Sequence, residues 1–155
     1  MPPLPILSHF LKGFCIVRRN KISIYVHFVW TTWDRLPLIT PEMETRLYRN
    51  ISASAISLGC KVLAINGDRD HVHVFLALPS TVSIAKLVKK MKGTSSHFVN
   101  DQLHPPAHFK WQGYYGAFSV SRWDVQKIIA YINAQKEHHA NDDLWAEFEE
   151  AYVTD

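Results

Sequence analysis

The sequence predicts an α+β domain: a four-stranded antiparallel sheet, two helices on one face, and a further helix near the open face. Three observations carry this. Strand-like and helix-like segments follow one another as β-α-β-β-α-β, with one more helical stripe after them. The two central strand-like segments are separated only by Gly67-Asp68-Arg69-Asp70, a hairpin connection. The first and third segments alternate so that each has two chemically distinct faces. This order is the split βαβ or ferredoxin-like arrangement, which places strands one and three together at the sheet centre.

Ile22 to Trp33 is rich in β-branched and aromatic residues and reads as the first strand. After Pro37, Pro41 starts a helix capped by Thr40, with Met43, Leu47, Ile51, Ala55 and Leu58 at helical spacing until Gly59 stops it. Cys60 to Asn66 and His71 to Leu78 form the hairpin. Ser83 opens a second helix whose buried stripe is Ile84, Leu87, Val88 and Met91, with Gly93 as its expected terminator or kink. Trp111 to Val120 supplies the fourth strand, and a third helix runs from about Asp124 to His139.

The whole is one domain over residues 22–141, with a loose extension at 1–21 and an acidic, partly helical tail at 142–155. Of the 155 residues, 47% are hydrophobic and 20% charged, which argues against a disordered chain. The net charge of +3 permits a polyanionic partner without demanding one. Cys15 and Cys60 form neither a disulfide framework nor a zinc motif, so a reducing cytoplasm is expected. No stretch approaches the roughly 20 apolar residues that cross a bilayer.

The chemistry concentrates in two places. On a strand, residues i and i+2 share a face, so His71 and His73 present two imidazoles side by side, as two ligands of one metal ion would require. Alternation turns Val72, Val74, Leu76 and Leu78 towards the helices and Phe75 with the histidines. On the first strand, Ile24, Val26, Phe28 and Trp30 face the helices, and Tyr25, His27 and Val29 face the histidines. On the third helix, Val125, Ile128, Ile129 and Ile132 cover this open face, while Tyr131 and Gln135 stand one turn apart in the adjoining stripe. A phenol and an amide oxygen brought to a two-histidine site suit a tyrosine nucleophile attacking a phosphodiester.

These residues resemble the HUH (His-hydrophobic-His) single-tyrosine transposases of the smallest insertion sequences, the insertion-sequence-200-like family, and their REP-associated tyrosine transposase relatives. The resemblance spans about Ile22 to His139. It rests on Asp70-His71-Val72-His73, on Lys92-Gly93-Thr94-Ser95-Ser96, on the run Trp111 to Ser121, and on Tyr131-Ile132-Asn133-Ala134-Gln135-Lys136-Glu137-His138-His139. It implies that His71, His73 and Gln135 hold a divalent metal, Mg²⁺ or Mn²⁺, with zinc open on ligand grounds, and that Tyr131 is the nucleophile. It further implies single-stranded DNA with hairpins as substrate, a 5′-phosphotyrosine intermediate, a homodimer, and a cytoplasmic, nucleoid-associated enzyme. A domesticated relative acting on chromosomal repeats, a hairpin-binding regulator without catalysis, and a metallohydrolase using activated water are the alternatives.

Lys86, Lys89, Lys90 and Lys92 of the second helix, with Arg18, Arg19 and Lys21, are the candidate DNA-backbone contacts, and the same lysines equally read as a solvated helix face. Tyr25 or Trp33 is expected to stack unpaired bases. His27 reads as a supporting, structurally satisfied histidine more readily than as a fourth ligand. His138-His139 suits a helix C-terminus.

Overall fold

The structure, a computed structural model, describes residues 20–137. The extension before residue 20 with Arg18, Arg19 and Cys15, the pair His138-His139, and the acidic tail lie outside those residues. Four strands, β1 (Tyr25–Thr31), β2 (Lys61–Asp68), β3 (His71–Ala77) and β4 (Gly116–Val120), and three helices, α1 (Pro41–Ser57), α2 (Ile84–Phe98) and α3 (Val125–Asn133), follow in the expected order. The sheet runs β2-β3-β1-β4 with every pairing antiparallel, so β1 and β3 are central. Among the described residues no helix is long and apolar enough to cross a membrane.

One face carries the main core. Val26, Phe28 and Trp30 of β1 and Val72, Val74 and Leu76 of β3 pack on Met43, Leu47, Ile51 and Ala55 of α1 and on Leu87, Val88 and Met91 of α2. The other face carries a smaller cluster in which Ala64 and Phe75 meet Ile128, Tyr131 and Ile132 of α3. Because both faces are covered, all of β3 from His71 to Leu76 is buried. Two imidazoles therefore sit in a strand interior where apolar side chains would ordinarily be worth about 1.5–3 kcal/mol each, a placement that packing alone does not favour.

Several local expectations are corrected. Gly93 does not end α2, which continues to Phe98 and then through a π-helical turn at Val99–Leu103. The buried stripe Leu87, Val88, Met91, Ser95 and Val99 runs straight past it, and this burial outweighs the ~1 kcal/mol that glycine costs a helix. Ser83 caps α2, its hydroxyl accepting from the Lys86 N–H at 3.1 Å. Thr40 occupies the corresponding position of α1 but its side chain makes no capping bond; Pro41 has no N–H to satisfy, and the Met43 N–H reaches the Thr40 carbonyl instead. Ile24 precedes β1 and is exposed rather than buried.

The fourth strand is shorter than expected. Trp111 forms only an isolated bridge with Thr32, and the chain loops before β4 begins at Gly116. Side-chain ties from the α2 region explain the loop. Ser95 accepts from the Trp111 indole N–H at 2.9 Å, and the Asn100 amide both donates to and accepts from the backbone of Phe109 at 2.8 Å. The Lys92 ammonium donates to the carbonyls of Gln112 and Tyr114.

Gly67 belongs to β2, not to a turn, and faces Val72 across the hairpin. A methyl placed on it would lie 2.2 Å from the His71 carbonyl oxygen and 2.9 Å from the Val72 Cα, both rigid backbone of β3. Gly67→Ala is therefore expected to destabilise the protein by about 1–3 kcal/mol, seen as a melting temperature several degrees lower. An unchanged melting curve would contradict that close approach.

Candidate active site

The open face of the sheet brings His27, His71, His73, Tyr131 and Gln135 together, each of them buried. His71 opens β3 opposite Thr31, and His73 lies two residues on, opposite Val29. Their ring centroids are 5.1 Å apart and nearly perpendicular. The α3 residues Ile128, Tyr131 and Ile132, at i, i+3 and i+4, seat the helix on this face. The Tyr131 ring then stands 6.1 Å from that of His73, edge to face.

α3 is shorter than the sequence predicts. It ends at Asn133, Ala134 interrupts it, and a further helical turn holds 135–137. Gln135 nonetheless lands one turn beyond Tyr131, its Oε1 3.5 Å from the Nε2 of His71. Two residues hold this end of the helix down. The Asn66 amide of β2 donates to the carbonyls of Ile132 and Asn133 at 3.0 and 3.2 Å, supplying donors for carbonyls that a helix C-terminus leaves without partners. Lys136 binds Glu44 of α1 and donates to the Asn66 side chain.

Each histidine has a neighbour that fixes its ring. The Nδ1 of His71 donates to the Asp70 carboxylate at 2.7 Å, and this bond holds the Asp70 carboxyl below the usual carboxylate range against the opposing effect of burial. Arg35, 4.0 Å from Asp70, adds to the same side. The Nδ1 of His73 lies 2.9 Å from the Nε2 of His27, the two rings stacked. A histidine that donates one ring N–H to a carboxylate or similar partner presents its other nitrogen as the basic one, the usual support of a metal-ligating imidazole.

These residues fit a divalent cation by donor chemistry. The His71 Nε2 and the Gln135 Oε1, 3.5 Å apart, are the kinds of nitrogen and oxygen donor that a divalent cation takes. Among the described residues no group of three His, Cys, Asp or Glu could hold a metal. If His27 orients His73, then His27→Ala is expected to weaken Mn²⁺ binding about 10- to 100-fold, measured by titration calorimetry, and equal affinity would remove that role.

The lysines lie elsewhere. Lys86, Lys89 and Lys90 are exposed on α2, in the layer behind the sheet and opposite the histidine face, and Lys21 is exposed near the start of the described chain. Lys92 is half-buried and committed to the 112–114 loop, and its desolvation lowers its pKa. It is a staple for that loop in this conformation rather than an outward cation. Sequence reading gave no role to Asp70, Asn66 and Lys136, and gave Lys92 a different one. Asp70 had a signal, standing directly before His71; the others act through tertiary contacts that no local pattern announces.

At the same end of the sheet, the Thr32 N–H donates to the Asp70 carbonyl at 2.8 Å, and a short 3₁₀ turn, Trp33–Arg35, follows. Asp34 and Arg35 both adopt left-handed backbone, φ 53° and 51°, at a cost of about 1 kcal/mol or more each. The Trp33 N–H donates to the Lys110 carbonyl at 2.8 Å and the Asp34 N–H to the Gln112 side chain at 3.1 Å, which holds the turn.

Comparison with known proteins returns a family and two similar structures. A family described as IS200-like transposase matches residues 20–135. A putative transposase from Deinococcus radiodurans is 25% identical, with TM-score 0.59, covering 76% of this chain and 95% of its own. A REP-associated tyrosine transposase bound to a REP hairpin shares the fold at 16% identity and TM-score 0.60, covering 81% of this chain and 74% of its own. No curated protein is significantly similar.

Proposed function

Since this chain belongs to the IS200-like transposase family, we propose that it cuts and rejoins single-stranded DNA through Tyr131, with His71, His73 and Gln135 holding a divalent metal. The observation that carries this reading is the convergence of those four side chains on one buried face. A bound Mg²⁺ or Mn²⁺ would polarise the scissile phosphate and offset charge on the attacking and leaving oxygens.

The remaining chemistry belongs to the chain. The phenolic oxygen of Tyr131 attacks phosphorus and the bond to the 3′ oxygen breaks. The phenol loses its proton and the departing 3′ oxygen gains one, leaving a 5′-phosphotyrosine and a free 3′-hydroxyl. One phosphodiester replaces another, so a different 3′-hydroxyl can reverse the step and complete strand transfer without ATP. Asp70 and His27 keep the two imidazoles in register with the phosphate. The ring of Phe75 and the isoleucines of α3 exclude water from around the phenol.

Tyr131 lies beside the His73 of its own chain; in a homodimer the tyrosine helix of one copy would serve either its own metal site or its partner's. All four side chains are buried, so a strand reaches them only when this face opens. Hairpin-bearing ends are the proposed substrates, by likeness to the relative bound to a REP hairpin, and the enzyme acts where chromosomal DNA lies, in the cytoplasm.

The test is incubation with a labelled library of hairpin-bearing single strands in Mg²⁺, Mn²⁺ or EDTA, followed by a denaturing gel. A covalent protein–DNA band that EDTA abolishes is the expected result. DNA binding with no such band in either metal would favour a binding module instead.

A further inference from the structure

We propose that Trp33 and Lys110 form a platform on which an unpaired nucleobase of the DNA strand stacks at the His71 end of the sheet. The proposal rests on the reading of the protein as a single-strand enzyme and adds a substrate-binding subsite to it. Of the two aromatic residues named above as examples, Tyr25 packs against Phe75, ring centroids 6.3 Å apart, within the second core. Trp33 does not; it is 45% exposed. The Lys110 ammonium lies 3.5 Å from its ring centroid.

An indole with a cation against its ring binds that cation through its electron-rich face. The rest of an indole is apolar and flat, the shape on which bases stack irrespective of sequence, and nearly half of Trp33 is exposed. The ammonium supplies donors for the neighbouring phosphate. Placement makes the pair relevant to the reaction. Trp33 follows Thr32, whose N–H donates to the Asp70 carbonyl and whose hydroxyl donates to the Leu36 carbonyl, and Asp70 holds His71. The bonds to Lys110 and Gln112 hold the turn in which Asp34 and Arg35 are left-handed. Ring and ammonium are thus preset rather than recruited. The exposed lysines of α2 have neither an aromatic partner of this kind nor this position, being on the opposite layer.

Fluorescence anisotropy at low salt tests the platform with two probes of equal charge: labelled dT20 and a 20-unit abasic phosphodiester strand. The wild-type protein is expected to prefer dT20 by about ten-fold. Trp33→Ala and Trp33→Leu are expected to lose most of that preference while binding the abasic strand within about two-fold of wild type. Trp33→Phe keeps most of it, and Lys110→Met weakens both probes alike. A wild-type protein without the preference, or a folded Trp33→Leu protein that retains it, overturns the proposal. The readout needs no cleavage, so it separates from the parent reading: a Tyr131 adduct formed by Trp33→Leu at saturating strand would uphold the chemistry whatever the platform does.

Discussion

Tyr131→Phe is expected to abolish the covalent protein–DNA adduct and to lower strand cleavage by at least about a thousand-fold, with DNA affinity nearly unchanged. Only the hydroxyl is removed. The ring that packs on Phe75, Ile128 and Ile132 stays, so the melting temperature should remain within about 4 °C of wild type. The contrast between lost chemistry and kept binding identifies a nucleophile rather than a packing residue. Cleavage retained without an adduct would instead indicate attack by water, the metallohydrolase alternative.

The second large effect is expected at His73. His73→Ala removes a proposed metal ligand, so Mn²⁺ affinity should fall by more than about 100-fold, beyond the loss expected for its orienting neighbour His27, and adduct formation should fall with it. Stability falls as well. The substitution leaves a cavity in a fully buried strand position and takes from His27 the partner 2.9 Å away, together worth about 2–4 kcal/mol. Calorimetry on the folded variant separates the two consequences. Wild-type metal affinity in His73→Ala would exclude the ligand role. The ordering His73 below His27 below wild type is the signature of a ligand held by a second residue.

Much of this was readable in the chain because the fold's periodicities are strong. β1 and β3 alternate cleanly, so the faces of Phe28, Val72 and Val74 on one side and of His27, His71 and His73 on the other follow from spacing alone. The i, i+3, i+4 set Ile128, Tyr131 and Ile132 likewise fixes which side of α3 meets the sheet. Boundaries fared differently wherever a tertiary contact overrode a local preference. Gly93 is a helix breaker by propensity, yet the buried stripe of α2 carries the helix through it. Gly67 looks like a turn residue and is in fact demanded by the backbone of β3 passing close to it. Trp111 has strand character but is claimed by Ser95 and the aromatic contacts with Trp30 and Phe109.

In the candidate site, the proposed reacting groups and one support, His27, were visible, and the other supports were not. Tyr131, His71, His73 and Gln135 stand at spacings that imply shared faces. What aims them depends on residues brought from other elements: His27 on β1, Asn66 on β2, and the Lys136 to Glu44 contact that ties the end of α3 to α1. Lys92, which by pattern belongs to a wet basic face, is drawn inward by two carbonyls of the 112–114 loop. The left-handed turn at Asp34 and Arg35 has no glycine to announce it.

The central claim is the identity of the nucleophile, and mass mapping of the wild-type adduct tests it most directly. The Mg²⁺- or Mn²⁺-dependent adduct would be digested with protease and nuclease, and the residue that carries the nucleotide phosphate located by tandem mass spectrometry. A single modified residue, Tyr131, bearing the 5′ phosphate is the expected result. Modification of any other residue, such as the exposed Tyr114, would contradict it.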